Sequence, residues 1–235
     1  MIYHYLATSP EGFVQQLATC YLTHGYYFFV QGVVPPGKDP RQVDRKLLEK
    51  YEIALTSAQR YYRKRQGRAS IHYLRHEYQW IMVATHGVHR WWDEHHDEDR
   101  HRSQVKDARL VPIHFLGYSI RIRKGNFLRK RLEEPQARVD GRLRVRVLIG
   151  AKSYRLLKAE LLELATRRSA EYLAARLNNV PFEPYAPIRK QLLALLRMIN
   201  ARRTAAGLSR VPVACIRMRR KIVRPFDVVS LAEAA

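Results

Sequence analysis

Arg142-Leu143-Arg144-Val145-Arg146-Val147 alternates strictly between a guanidinium and an aliphatic side chain. Neighbouring side chains of a strand point to opposite faces. The segment therefore reads as an amphipathic strand with Arg142, Arg144 and Arg146 on one side and Leu143, Val145 and Val147 on the other. A second segment repeats the pattern, with Ser119, Arg121 and Arg123 set against Tyr118, Ile120 and Ile122. Paired as antiparallel strands, the two would put five arginines on one sheet face over an apolar underside. Like charges opposite one another destabilise a sheet by a fraction of a kcal/mol per pair. A face built this way is expected to meet an anionic partner, and arginine grips phosphate with two donors and stacks on bases.

The whole chain shares this bias. Among 235 residues, 43 are Lys or Arg and 21 are Asp or Glu, a formal charge of +22. That excess repels itself in a compact state, and a polyanion relieves the repulsion. With 46% hydrophobic residues the chain can bury a core, so global disorder is not expected. Nucleic acid, DNA or RNA, is the expected partner.

Two further basic clusters support this expectation. Arg60-Tyr61-Tyr62-Arg63-Lys64-Arg65, followed by Arg68, reads as helix, with Arg60, Arg63 and Lys64 on one side and Tyr61 near Arg65 and Arg68. Basic groups interleaved with aromatic rings suit a surface that tracks a backbone and stacks bases. Near the end of the chain, Arg217, Arg219, Arg220, Lys221 and Arg224 form a third cluster on an expected strand.

The element order is mixed. Ile2 to Thr8 reads as a strand, Phe13 to Leu22 as a helix ended by Gly25, and Tyr26 to Val34 as a buried strand before a Pro/Gly loop. Helices are expected over Arg41 to Tyr51 and Ser57 to Gln66, with Gly67 as C-cap, then a hairpin of Ser70 to Arg75 and Tyr78 to Thr85. Leu110 to Lys124 and Arg138 to Ile149 read as two long strands. Ser153 to Leu177 and a helix opened by Pro187 form a helical pair, and Val211 to Val223 a last strand. This predicts an α+β fold with a mostly antiparallel central sheet and a helical pair in the C-terminal third. Residues 1–150 are expected to be a strand-rich region with inserted basic helices. Residues 151–235 are expected to carry the helical pair and the basic strand, packed with the first region as one domain. Helices 153–206 are also an expected docking surface for a protein partner, as in a structural subunit of a ribonucleoprotein complex.

An enzymatic alternative rests on the stretch from His86 to His101, where five histidines mix with five carboxylates. His86, His89, His95 and Asp97 are candidate ligands for Mg or Mn, which would suit a metal-dependent nuclease or a strand-transfer enzyme of a mobile element. Tyr154 and Tyr172 sit on expected helices, as a tyrosine nucleophile could. The chain has no serine nucleophile elbow, phosphate-binding glycine motif, zinc spacing or RNA-reader motif, which argues against ATPases, kinases and dehydrogenases. Cys20 and Cys215 read as buried thiols in a reducing compartment. The first 37 residues lack Lys and Arg, unlike a signal peptide, and the longest apolar run is too short to span a bilayer. A cytoplasmic protein without membrane contact is expected.

Overall fold

The computed structural model describes residues 3–95, 104–125, 128–130 and 136–226. The fold is α+β, with antiparallel four-stranded and three-stranded sheets among the described residues. It divides into two compact units. The first comprises Met1–Val111, Ile122–Val145 and Val223–Ala235, and the second Pro112–Arg121 and Arg146–Ile222.

In the first unit, α1 (Pro10–Gln15) starts where Ser9 accepts a hydrogen bond from the Gly12 amide at 3.0 Å, and it runs on through a π-helical turn, Gln16–Tyr21. Strand β1 (Phe28–Val33) follows. Asp39 caps α2 (Pro40–Lys50), and Thr56 with Gln59 forms a capping box for α3 (Ser57–Arg65). Gly67 takes φ +70° just past α3, the left-handed geometry expected of it. The expected hairpin forms from β2 (Ile71–His76) and β3 (Gln79–Ala84), with Ile71 opposite Ala84 and His76 opposite Gln79. Helix α4 (Arg90–His95) follows, and the short β4 (Lys106–Asp107) completes a sheet in the order β2-β3-β1-β4. Its core gathers Val30, Tyr51, Ile53, Ile71, Tyr73, Met82, Ala84 and Trp91. Strand β2 is covered on both faces: Tyr73 and Arg75 reach Asp44 on α2, while His72 stacks on Tyr21 with ring centres 4.1 Å apart.

Three expected strands are corrected here. Residues 2–8 form no strand among the described residues; Leu6 makes only an isolated parallel bridge to Arg75. Leu110 to Lys124 is not one strand but a hairpin, β5 (Ile113–Phe115) and β6 (Tyr118–Lys124). Leu116 and Gly117 have φ of +40° and +81°, the signs a two-residue hairpin turn needs. Arg138 to Ile149 is likewise interrupted. After β7 (Leu128–Arg129) comes β8 (Arg138–Val139), then Asp140 and Gly141 break the run before β9 (Leu143–Ile149). The three-stranded sheet has the order β5-β6-β9, so the expected neighbours β6 and β9 do lie side by side. The division between units falls within both strands.

In the second unit the expected helix 153–177 is two helices, α5 (Ala151–Leu164) and α6 (Ala170–Asn178). Ser169 caps α6 by accepting from the Tyr172 amide at 3.2 Å. The buried Arg203 of α7 (Ala186–Ala205) donates to the carbonyls of Ala165 and Arg168 in the break, at 2.8 and 2.7 Å. The helical pair is thus a trio. Val211 to Val223 is not a strand either: it holds a short 3₁₀ turn, Val213–Cys215, and irregular chain. Side chains replace the ladder there, with Asn200 bonding both N and O of Val211 at 2.8 and 2.9 Å, and Arg189 donating to the Met218 carbonyl at 2.9 Å. Neither cysteine is fully buried: Cys20 is exposed and Cys215 half-buried. Among the described residues no helix is long and apolar enough to cross a membrane.

Candidate nucleic-acid interface

Helix α3 sorts its basic cluster into two roles. Arg60 faces inward, 8% exposed, and donates to the carbonyls of Ile53 and Ile71 at 2.6 and 2.7 Å and to Ser70 Oγ at 3.3 Å. These bonds withdraw it from the expected binding surface and make it an internal brace. Arg63 pairs with Glu52 of its own chain and holds that carboxyl below its ordinary range. Lys64 is exposed but lies 4.7 Å over the Tyr26 ring and 3.4 Å from the His24 carbonyl. The other side of the helix faces solvent. Tyr61 and Tyr62 are 58% and 61% exposed, their rings in an edge-to-face pair 5.7 Å apart. The Arg65 guanidinium sits 5.8 Å over the Tyr61 ring. Arg68 is exposed beyond Gly67, on backbone anchored by its own amide to the Arg63 carbonyl at 2.9 Å. Neither Arg65 nor Arg68 has an ion-pair partner among the described residues.

The arginine strands are less uniform than their alternation implies. In the first unit, Arg123 and Arg142 are exposed, whereas Arg144 lies across Gly125 and pairs with Asp140. In the second unit, Arg146 is exposed, but Arg121 is only half-exposed. Its Nε and the neighbouring Ser119 Oγ are buried without a hydrogen-bond partner among the described residues. The apolar alternation holds at Ile120, Ile122, Val147 and Ile149, all buried, and weakens at Val145 and Leu143. In the third cluster, Arg219 is exposed and Arg220 lies 4.4 Å over the Tyr185 ring. Lys221 donates its backbone amide to Glu183 at 2.8 Å, while its side chain is exposed. On the helices expected to dock a partner, Leu156 and Tyr172 are exposed, 63% and 47%.

Three of the four candidate metal ligands lie among the described residues, and each contacts other groups of the chain. His89 is 8% exposed and accepts from the Trp91 amide at 3.1 Å through Nδ1. His95 Nε2 lies 3.0 Å from Tyr51 Oη, which donates to Glu94 at 2.8 Å. Burial pushes both imidazoles below their ordinary range. His86 lies among the rings of Phe28 and Trp92. Asp97 falls outside the described residues. Among the described residues no three His, Cys, Asp or Glu side chains gather as a metal site would require.

The sequence pattern gives α2 as a helix, but its basic side was not among the expected contact residues. Its exposed side carries Arg41, Arg45 and Lys46, and the four-residue spacing of the two arginines is the signal that could have found it. Comparison with protein-family models and with curated proteins finds no match to this chain.

Proposed function

We propose that the protein binds nucleic acid with the solvent face of α3 as its contact surface, and that it prefers unpaired strands. The observation that carries this reading is the adjacent pair of exposed tyrosine rings, with Arg65 over the Tyr61 ring and Arg68 beyond it, neither arginine in an ion pair among the described residues. Bases stack on exposed rings only when they are free of their own duplex, and stacking contributes about 1–3 kcal/mol per base. Arginines beside the rings take the phosphates and displace counterions. The net charge of +22 draws the polyanion in from a distance.

The test is fluorescence anisotropy of labelled single-stranded DNA and RNA 20-mers and of a duplex, at several salt concentrations. Tyr61→Ala with Tyr62→Ala should weaken single-strand binding by about tenfold or more. Arg65→Gln with Arg68→Gln should lower the log–log salt slope by roughly 0.7 for each lost phosphate contact. If both double variants bind like the wild type, α3 is not the contact surface.

A further inference from the structure

Arg41, Arg45 and Glu49 stand one turn apart on α2, so they share a face and span about 12 Å of helix. With Tyr5, Leu6, Leu48 and Arg75 they line a cleft of 450 Å³ inside the first unit. Pockets of roughly 300–1,000 Å³ commonly take small organic ligands.

The walls differ in chemistry. Arg41 and Arg45 are exposed, and neither has a carboxylate partner among the described residues. Arg75 is fixed: Asp44 holds its Nε and Nη2 at 2.7 Å, and its Nη1 donates to the Glu77 carbonyl. Its charge is already neutralised, which leaves the anionic attraction to the two arginines of α2. Tyr5 is half-buried and Leu6 is 48% exposed, an aromatic and an aliphatic surface on the same cleft. Glu49 closes the row with a hydrogen-bond acceptor, at the end of the arginine series away from Arg41.

A phosphoryl group is the ligand that two free guanidiniums one turn apart fit best, because each can supply paired donors to its oxygens. Inorganic phosphate alone would leave the Tyr5–Leu6–Leu48 surface unused and would gain nothing from Glu49. We propose that this cleft binds a nucleotide: the phosphate lies between Arg41 and Arg45, the base against Tyr5 and its aliphatic neighbours, and a sugar hydroxyl or base amine faces Glu49. The proposal does not rest on the α3 surface. A free mononucleotide and the 5′-phosphorylated end of a strand present the same chemistry to it.

Calorimetric titration of the full chain with the four ribonucleoside 5′-monophosphates, each against its own nucleoside, tests this directly. At least one monophosphate should bind about tenfold or more tighter than its nucleoside. Arg41→Gln and Arg45→Gln, both at exposed positions, should each remove most of that difference, while the Tyr61/Tyr62 double variant should retain it. A 5′-phosphorylated 12-mer compared with its 5′-hydroxyl form then identifies the source: a gain from the phosphate assigns the cleft to strand ends, and no gain assigns it to free nucleotide. The proposal is overturned if no monophosphate outbinds its nucleoside, or if both arginine variants bind it like the wild type. Loss of strand binding in the tyrosine variant bears on the α3 surface alone.

Discussion

Asp44 of α2 and Arg75 of β2 meet in a two-bond ion pair, Nε to Oδ1 and Nη2 to Oδ2, each at 2.7 Å, and Asp44 has no exposed surface. Tyr73 Oη adds a 2.6 Å bond to Oδ1, and burial together with the neighbouring carboxylate holds that hydroxyl well above its ordinary range. The pair fastens α2 to the sheet. Asp44→Ala leaves a buried guanidinium without its counter-charge, and a loss of about 3–5 kcal/mol is expected. Asp44→Leu combined with Arg75→Met removes both charges and should cost less than Asp44→Ala alone. Urea unfolding measures both, and a single variant within about 0.5 kcal/mol of wild type, the usual scatter of surface substitutions, would refute the role assigned to the pair.

The two roles on α3 predict two separable phenotypes. Arg60→Ala takes the guanidinium from the carbonyls of Ile53 and Ile71; the Ile53 carbonyl keeps the Leu55 amide at 2.7 Å, but the buried Ile71 carbonyl loses this donor at about 1–3 kcal/mol, and thermal stability should fall. Arg65→Gln and Arg68→Gln touch no internal hydrogen bond among the described residues and should leave the melting temperature within about a degree, consistent with surface changes. Binding should respond in the opposite order, with the salt slope falling only in the latter variants. Equal loss of stability in both sets would merge the two faces into one structural role.

What the sequence made visible were features written locally. The stop at Gly67, the turn between β2 and β3, and the buried alternation at Ile120, Ile122 and Val147 each depend on a few adjacent residues. What stayed hidden depends on partners far along the chain. Arg60 and Arg65 are the same side chain on the same helix, and only Ile53 and Ile71 distinguish them. Asp44 lies in a charged run that reads as a solvated face until Arg75 and Tyr73 arrive from β2. Residues 211–223 have strand-like composition, but Asn200, Arg189 and Glu183 claim their backbone groups before a neighbouring strand can. Leu116-Gly117 was legible in principle, since glycine beside an apolar run is a turn signal.

His72 predicts acid sensitivity. Burial, with Arg60 and Lys64 nearby, lowers its pKa from 6.5 to about 2. The unfolded chain therefore binds a proton that the folded chain refuses between these values, so stability falls as pH drops below 6.5. Each pH unit in that window removes about 1.4 kcal/mol at most from this group. His89 and His95 are shifted the same way and add to the slope. His72→Phe keeps an aromatic ring against Tyr21 and should flatten, without abolishing, the loss of stability between pH 6.5 and 5. Chemical denaturation at several pH values decides it; an unchanged slope in the variant would remove His72 as a cause.

Glu183, 8% exposed, ties down the basic segment at the end of the second unit. Its Oε2 accepts from the Lys221 amide at 2.8 Å and its Oε1 from Arg217 Nη1 at 3.4 Å. Arg217 has further anchors, donating from Nη2 to the carbonyls of Val180 and Phe182 at 3.1 and 2.9 Å. Glu183→Ala should therefore loosen the chain beyond Met218, whose carbonyl Arg189 still holds, while leaving Arg217 itself in place. Trypsin should cut faster after Arg219, Arg220 and Lys221 but little faster after Arg217, because cleavage follows the population of the locally open chain. Glu183→Gln keeps one acceptor oxygen and should fall between the two. Uniform acceleration at all four sites would mean that the substitution unfolds the unit as a whole, and no acceleration would mean that Glu183 does not hold the segment.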